Sequence, residues 1–157
     1  EIAHSNTKPM YQEINLQGDQ SGMQAGLVFT QLLHKLAVSS TVSYAAINGN
    51  SKAHQLVMGN KAEALNYSLS FGHLILPKKY TSYDQTNFNI YAELLGQAIP
   101  GTRKSYLDFA PSMQLIFKSK LKFNLAYRFN LQSSMTRMAQ TSWMLGGEWL
   151  FLNAFKK

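Results

Sequence analysis

Residues 120–132, KLKFNLAYRFNLQ, alternate in character without exception. Leu121, Phe123, Leu125, Tyr127, Phe129 and Leu131 are apolar, whereas Lys120, Lys122, Asn124, Ala126, Arg128, Asn130 and Gln132 are polar or small. A period of two is the side-chain period of a β-strand, whose successive residues point to opposite faces. Wound as a helix, the same residues would scatter their apolar groups around the axis and bury none of them together. The stretch is also long: thirteen residues against roughly five or six for an ordinary strand, and about nine to eleven for a tilted strand that crosses a membrane.

The rest of the chain repeats this pattern between turn signals, and eight strands are expected, at about 10–17, 22–33, 36–46, 63–76, 86–97, 106–118, 120–132 and 142–153. The segment GDQSG at 18–22, the Asn48-Gly49-Asn50 and Gly59-Asn60 pairs, and Pro100-Gly101 read as turns or loops. Residues 1–9 form an unpatterned lead-in, and 10–157 a single domain. Pro111 lies inside the sixth expected strand. Because proline donates no ladder hydrogen bond, a bulge or weak point is expected there.

Composition narrows the class. The 157 residues are 45% hydrophobic with a mean hydropathy of −0.19, which excludes a disordered chain. No run of eighteen apolar residues occurs, so no transmembrane helix is expected, but a strand hides half its hydrophobicity in alternation. The net charge of +7 comes from scattered residues, the largest groups being Lys78-Lys79, Arg103-Lys104 and Lys118/Lys120/Lys122, which argues against a nucleic-acid partner. With no cysteine, neither disulfides nor thiolate metal sites can form. The chain opens at Glu1 without a charged and then apolar leader, as expected of a mature or trimmed form.

Connections between the expected strands are too short for crossover helices, so they should pair as an antiparallel meander. Long strands in an open sheet would expose two edges, and closure removes them. The expected fold is therefore all-β, an antiparallel up-and-down β-barrel of about eight strands. The interior charges Glu13, Glu93, Asp108, Lys122, Arg128 and Glu148 all fall in the register opposite the apolar one. A soluble barrel turns its apolar register inward; a membrane barrel turns it outward. Three features favour the second: strand length, a compact polar register (Asn66, Ser68, Ser70, Gly72; Ala37, Ser39, Thr41, Ser43), and more aromatic bulk than an eight-strand lumen holds. Tyr44, Tyr67, Phe123, Tyr127, Trp143 and Trp149 are then expected as a lipid-facing aromatic belt, and Glu93, Asp108, Lys122, Arg128 and Glu148 as a polar network in the lumen. The second and sixth connections are minimal, and the third, fifth and seventh longer, although the fourth is longer and the first shorter than this alternation predicts. With an even strand count, both termini are expected on the short-turn side.

SYLDFAPSMQLIF, KLKFNLAYRFNL and SWMLGGEWLFLNAF resemble the last three strands of outer-membrane β-barrel proteins of Bacteroidota-type bacteria, transporter-like chains among them. The resemblance spans about residues 22–155. Phe155 is similar to the closing aromatic that barrel-assembly machinery reads, although Lys156 and Lys157 follow it. Since some members of that group have more strands, the chain could be one part of a larger barrel. The resemblance implies a bacterial outer-membrane location, with the lipid bilayer and other envelope proteins as partners.

No chemistry stands out. The histidines His4, His34, His54 and His73 share no metal-ligand spacing and read as surface or turn residues. There is no G-x-S-x-G motif and no glycine-rich phosphate loop. Gly146-Gly147 is read as allowing close packing within a strand, and Met58, Met135 and Met138 as capping a barrel mouth. The expected function is a non-catalytic outer-membrane barrel serving as a small channel or transporter, an anchor or an envelope-complex subunit, with no cofactor and no metal. The alternative is a soluble calycin-like barrel holding a hydrophobic small molecule, and an outer-membrane lipid-modifying enzyme is a more distant third.

Overall fold

The computed structural model describes residues 1–5, 10–18, 20–48, 63–82 and 84–151. Eight strands form one antiparallel meander: β1 (Ile2–Ala3), β2 (Gly22–Leu33), β3 (Leu36–Ile47), β4 (Glu63–Leu76), β5 (Asn87–Ala98), β6 (Ser105–Phe117), β7 (Leu121–Ser133) and β8 (Thr141–Trp149). No helix occurs among the described residues. Each strand pairs with its sequence neighbours, and β1 and β8 are not paired to each other, so the sheet as described is open.

From 22 onward the strands lie where the alternation puts them. The first expected strand does not form. Residues 10–18 are bends and turns, and the edge position is taken by two residues of the lead-in, Ile2 and Ala3, paired to Met23 and Gly22. The cause is local: Asn15 Oδ1 accepts the Gln17 N–H (3.0 Å) and the Asn15 carbonyl accepts the Gly18 N–H (3.1 Å). Asparagine offers the backbone this alternative to a ladder, and only Ile14 and Leu16 support the apolar register.

This correction changes the parity. Among the described residues seven long strands, not eight, cross the sheet. The chain enters β2 at the end of the long connections and leaves β8 at the end of the short ones, so the expectation of both termini on the short-turn side is overturned.

Cross-strand registers sort the side chains into two faces. One carries Gln24, Ser43, Asn66, Gln97, Asp108 and Arg128; the other carries Leu27, Val42, Leu69, Leu94, Phe109 and Phe129. Burial then gives the sense of the curve. Asp108 and Gln97 are fully buried, whereas Leu145 is 81% and Phe123 44% exposed. A cavity of about 350 Å³ on the polar face is lined by residues as far apart in the sheet as Gln24 on β2 and Arg128 on β7, so that face is the concave one. The small apolar core also lies there. Ile14 and Leu16 pack against Ala45, Ile47, Ala64, Ile99, Tyr106 and Met135 at the long-connection end.

The weak point expected at Pro111 takes the form of a gap. Pro111 is in register with Ala92 on β5, but no β6–β7 pairing is formed between Phe109–Phe129 and Ser112–Ala126. The register shift on this strand pair comes at Leu107/Asp108, where Asp108 pairs with Asn130 instead of the next residue along. Gly146 and Gly147 are not close-packing positions: a methyl group on either would meet its nearest neighbours at 3.7 and 3.9 Å, ordinary contact. Glycine is needed instead at Gly96 and Gly72, where the rings of Tyr67 and Tyr91 lie 2.2 and 2.6 Å from where a Cβ would stand.

Candidate functional site

The five residues expected as one lumen network resolve into two clusters and a solitary acid. At the long-connection end Asp108 is the hub. Arg137 reaches it with two parallel bonds, Nη1 to Oδ1 and Nη2 to Oδ2, both 2.6 Å. Arg128 Nε donates to Oδ2 (2.5 Å) and Asn130 Nδ2 to Oδ1 (3.0 Å). The paired geometry from Arg137 matches a planar guanidinium to a carboxylate and is the strongest form of such a bond. Glu13 lies 3.6 Å from Arg128 Nη2 and 3.5 Å from Arg137 Nε, within ion-pair range. Two acids thus face two arginines, and the cluster is neutral. Tyr106 completes it, with the Arg137 guanidinium 3.8 Å above its ring centre and that of Arg128 at 5.6 Å. Burial works to lower the Arg137 pKa, but its bonds to Asp108 and the charge of Glu13 outweigh this and hold it above the ordinary value.

Residues 10–18 are threaded into this end. The Ile14 N–H donates to Gln97 Oε1 (2.9 Å), and Gln97 Nε2 donates back to the Ile14 carbonyl (2.8 Å). A side-chain amide here imitates the partner strand that this segment lacks. Gln20 does the same for its own loop, accepting from the Asn15 N–H and donating to the Glu13 carbonyl. At its far side the segment is fastened to the β7–β8 loop: the Gln12 and Glu13 N–H groups both donate to the Thr136 carbonyl, and the Thr136 N–H to Gln12 Oε1. The chain therefore crosses the mouth of the concave face.

Toward the short-turn end the interior is a ladder of amides. Asn89 Nδ2 and the Tyr91 hydroxyl both donate to Gln114 Oε1, and Gln114 Nε2 donates to Asn124 Oδ1 (2.8 Å). Lys122 and Glu148 pair at 2.8 Å beside it, both partly open to solvent. Glu93 stands between the two clusters, opposite Ser70 and Ala110, with no ion pair among the described residues.

Arg137, Gln97, Asn130 and Tyr106 were not singled out by the sequence. Arg137 had a signal: Glu13 and Asp108 with Arg128 alone leave one buried acid without a partner, and buried charge is costly unless paired. The QSSMTRMAQT loop holds the only cation between β7 and β8.

All six belt residues lie in the outward register. Trp143, Trp149, Tyr44, Tyr67 and Phe123 are exposed and Tyr127 is half-buried. Rings gather at two levels on β6–β8. Phe109, Phe129, Tyr127 and Trp143 form a chain of contacts with centroids 4.4 to 5.7 Å apart. Phe117 with Phe123, and Trp149 with Phe151, lie at the other end. Between the levels Met113, Leu125 and Leu145 are direct cross-strand neighbours. Trp143 and Trp149 are six residues apart on β8, roughly 20 Å along a strand. His54, Met58 and Phe155 lie outside the described residues. Met138 is exposed and Met135 buried in the small core, and His34 and His73 sit in a turn and in the outward register.

No group of three or more His, Cys, Asp or Glu able to hold a metal occurs among the described residues. No family model, curated protein or solved structure matches the chain.

Proposed function

We propose that this chain works as an outer-membrane β-barrel protein, of the Bacteroidota type that its last three strands resemble. In this reading it is a non-catalytic anchor or a subunit of an envelope complex, with the lipid bilayer and other envelope proteins as partners and no role for nucleic acid. The observation that carries the reading is the sense of burial: charged and amide side chains line the concave face, and Leu27, Phe29, Leu145, Trp143 and Trp149 cover the convex one. Water does not support such an arrangement, because a contiguous apolar patch of this extent drives association. Hydrocarbon does, and two aromatic levels flanking an aliphatic band suit its two interfaces. The calycin-like alternative needs the apolar register inside, where the burial runs the other way. A small channel is less favoured than an anchor, since residues 10–18 occupy the mouth of the concave face.

Detergent dependence tests the reading. The chain should fold to β-structure only with detergent or lipid, and acyl chains brominated near the interface should quench Trp143 and Trp149. A monodisperse, folded protein in plain buffer would overturn it. Single-channel current in planar bilayers would move the assignment from anchor to channel.

A further inference from the structure

We infer that the gap between β2 and β8 is an acceptor for one further β-strand, running antiparallel to both and continuing β1 backward from Glu1. This inference rests on the outer-membrane reading for its solvent, but its geometry comes from the sheet itself.

The first observation is parity. Both β2 and β8 run from the long-connection end to the short-turn end. Joined directly they would be parallel, in a sheet that is otherwise antiparallel throughout. An up-and-down barrel made only of antiparallel pairs needs an even number of crossing strands, and seven are present among the described residues. One strand of opposite direction satisfies both edges at once.

The second observation is that this strand has already begun. Ile2 and Ala3 pair with Met23 and Gly22. The ladder runs one residue further, because the Gln24 N–H donates to the Glu1 carbonyl (3.0 Å) and the Glu1 amino group to the Gln24 carbonyl (3.0 Å). That reciprocal pair is the narrow hydrogen-bonded pair of an antiparallel ladder. A residue preceding Glu1 would stand opposite Ala25, and the third before it opposite Leu27.

The third observation is what the edges leave open. On the concave face Val28 and Leu32 of β2 are each 69% exposed and Met144 of β8 is 61% exposed, although inward groups on β3 to β6 are mostly covered. In a bilayer an unpaired strand edge carries an additional cost, since no water reaches its N–H and C=O groups. A second copy does not fit. Two copies with the same membrane orientation would set β8 against the partner's β2 in parallel, and an antiparallel contact would invert one of them. The occupant is therefore a strand of polypeptide leading into Glu1, apolar at the positions facing Ala25 and Leu27, and able to cover Val28, Leu32 and Met144 from within.

Because the chain has no cysteine, register can be read by introduced thiols. The whole chain is folded in detergent with Ala25→Cys and a twelve-residue alternating strand fused ahead of Glu1. That strand carries its cysteine either directly before Glu1 or one place earlier. The first should form the disulfide at least tenfold faster than the second, and hydrogen exchange should slow at least tenfold in the β8 amides that face away from β7. Equal rates for the two positions, or unchanged β8 exchange, would overturn the acceptor. So would a Leu27→Cys to Leu145→Cys disulfide in the unextended chain, which would mean that the edges close on each other. An Ala25→Cys disulfide between copies would hand the edge to a second copy. The detergent requirement is measured on the same samples. Protein that folds without detergent yet shows the register preference sinks the membrane reading alone.

Discussion

Asp108 and Glu148 are both inward-facing acids paired with a cation on β7, yet the two ends of the interior treat them differently. Asp108 is fully buried and holds Arg128, Arg137 and Asn130, with residues 10–18 laid across the mouth above it. Glu148 holds Lys122 alone, and both side chains remain partly solvated. Removing one partner from a buried network leaves an uncompensated charge, whereas an exposed pair trades its partner for water. The loop end is therefore the part of the interior that fixes a structure, and the short-turn end is the part that tolerates change.

Four substitutions, each followed by urea unfolding of the detergent-folded chain, would break or sharpen that contrast. Asp108→Ala strands two arginines beside Glu13 and should cost about 3–5 kcal/mol; a loss below about 1 kcal/mol would mean that water already enters the cluster. Leu125→Arg puts a charge at the middle of the convex aliphatic band and should cost about 2–4 kcal/mol in lipid. No loss there would place that face in water and remove the reason for an inward polar register. Gln97→Leu deprives the Ile14 N–H and C=O of their partners and should cost about 1–3 kcal/mol. Its sharper readout is limited proteolysis: new cleavage within 10–18 is expected, and unchanged resistance would show that the Thr136 contacts hold the segment unaided. Lys122→Ala should stay within about 1 kcal/mol and lose even that in high salt; a larger effect would erase the difference between the two ends.

Legibility in the sequence followed the same division. Strands from 22 onward could be read because alternation over twelve to fourteen residues has one explanation, and the sharing of one face by the six belt aromatics followed from register. The 10–17 stretch could not be read as it lies. Its Ile14 and Leu16 look like a strand's apolar register, but Asn15 turns the backbone, and the side chain of Gln97, eighty-three residues away, supplies the hydrogen bonds a neighbouring strand would have supplied. Arg137 was hidden for a similar reason. In a loop it has no register, and only the contact with Asp108 gives it a role.

What the sequence by itself determined is periodicity: which residues form strands from 22 onward, which share a face, and which neighbours pair in a meander. These follow from two-residue geometry and short connections, both local. Tertiary structure alone decided the sense of the curve, the splitting of the charges into a quartet centred on the buried Asp108 and an open pair, and the odd number of long strands that leaves two edges unmatched among the described residues. Each of these depends on groups far apart along the chain meeting across the concave face, where burial sets the worth of every hydrogen bond and charge, and no local pattern encodes that distance.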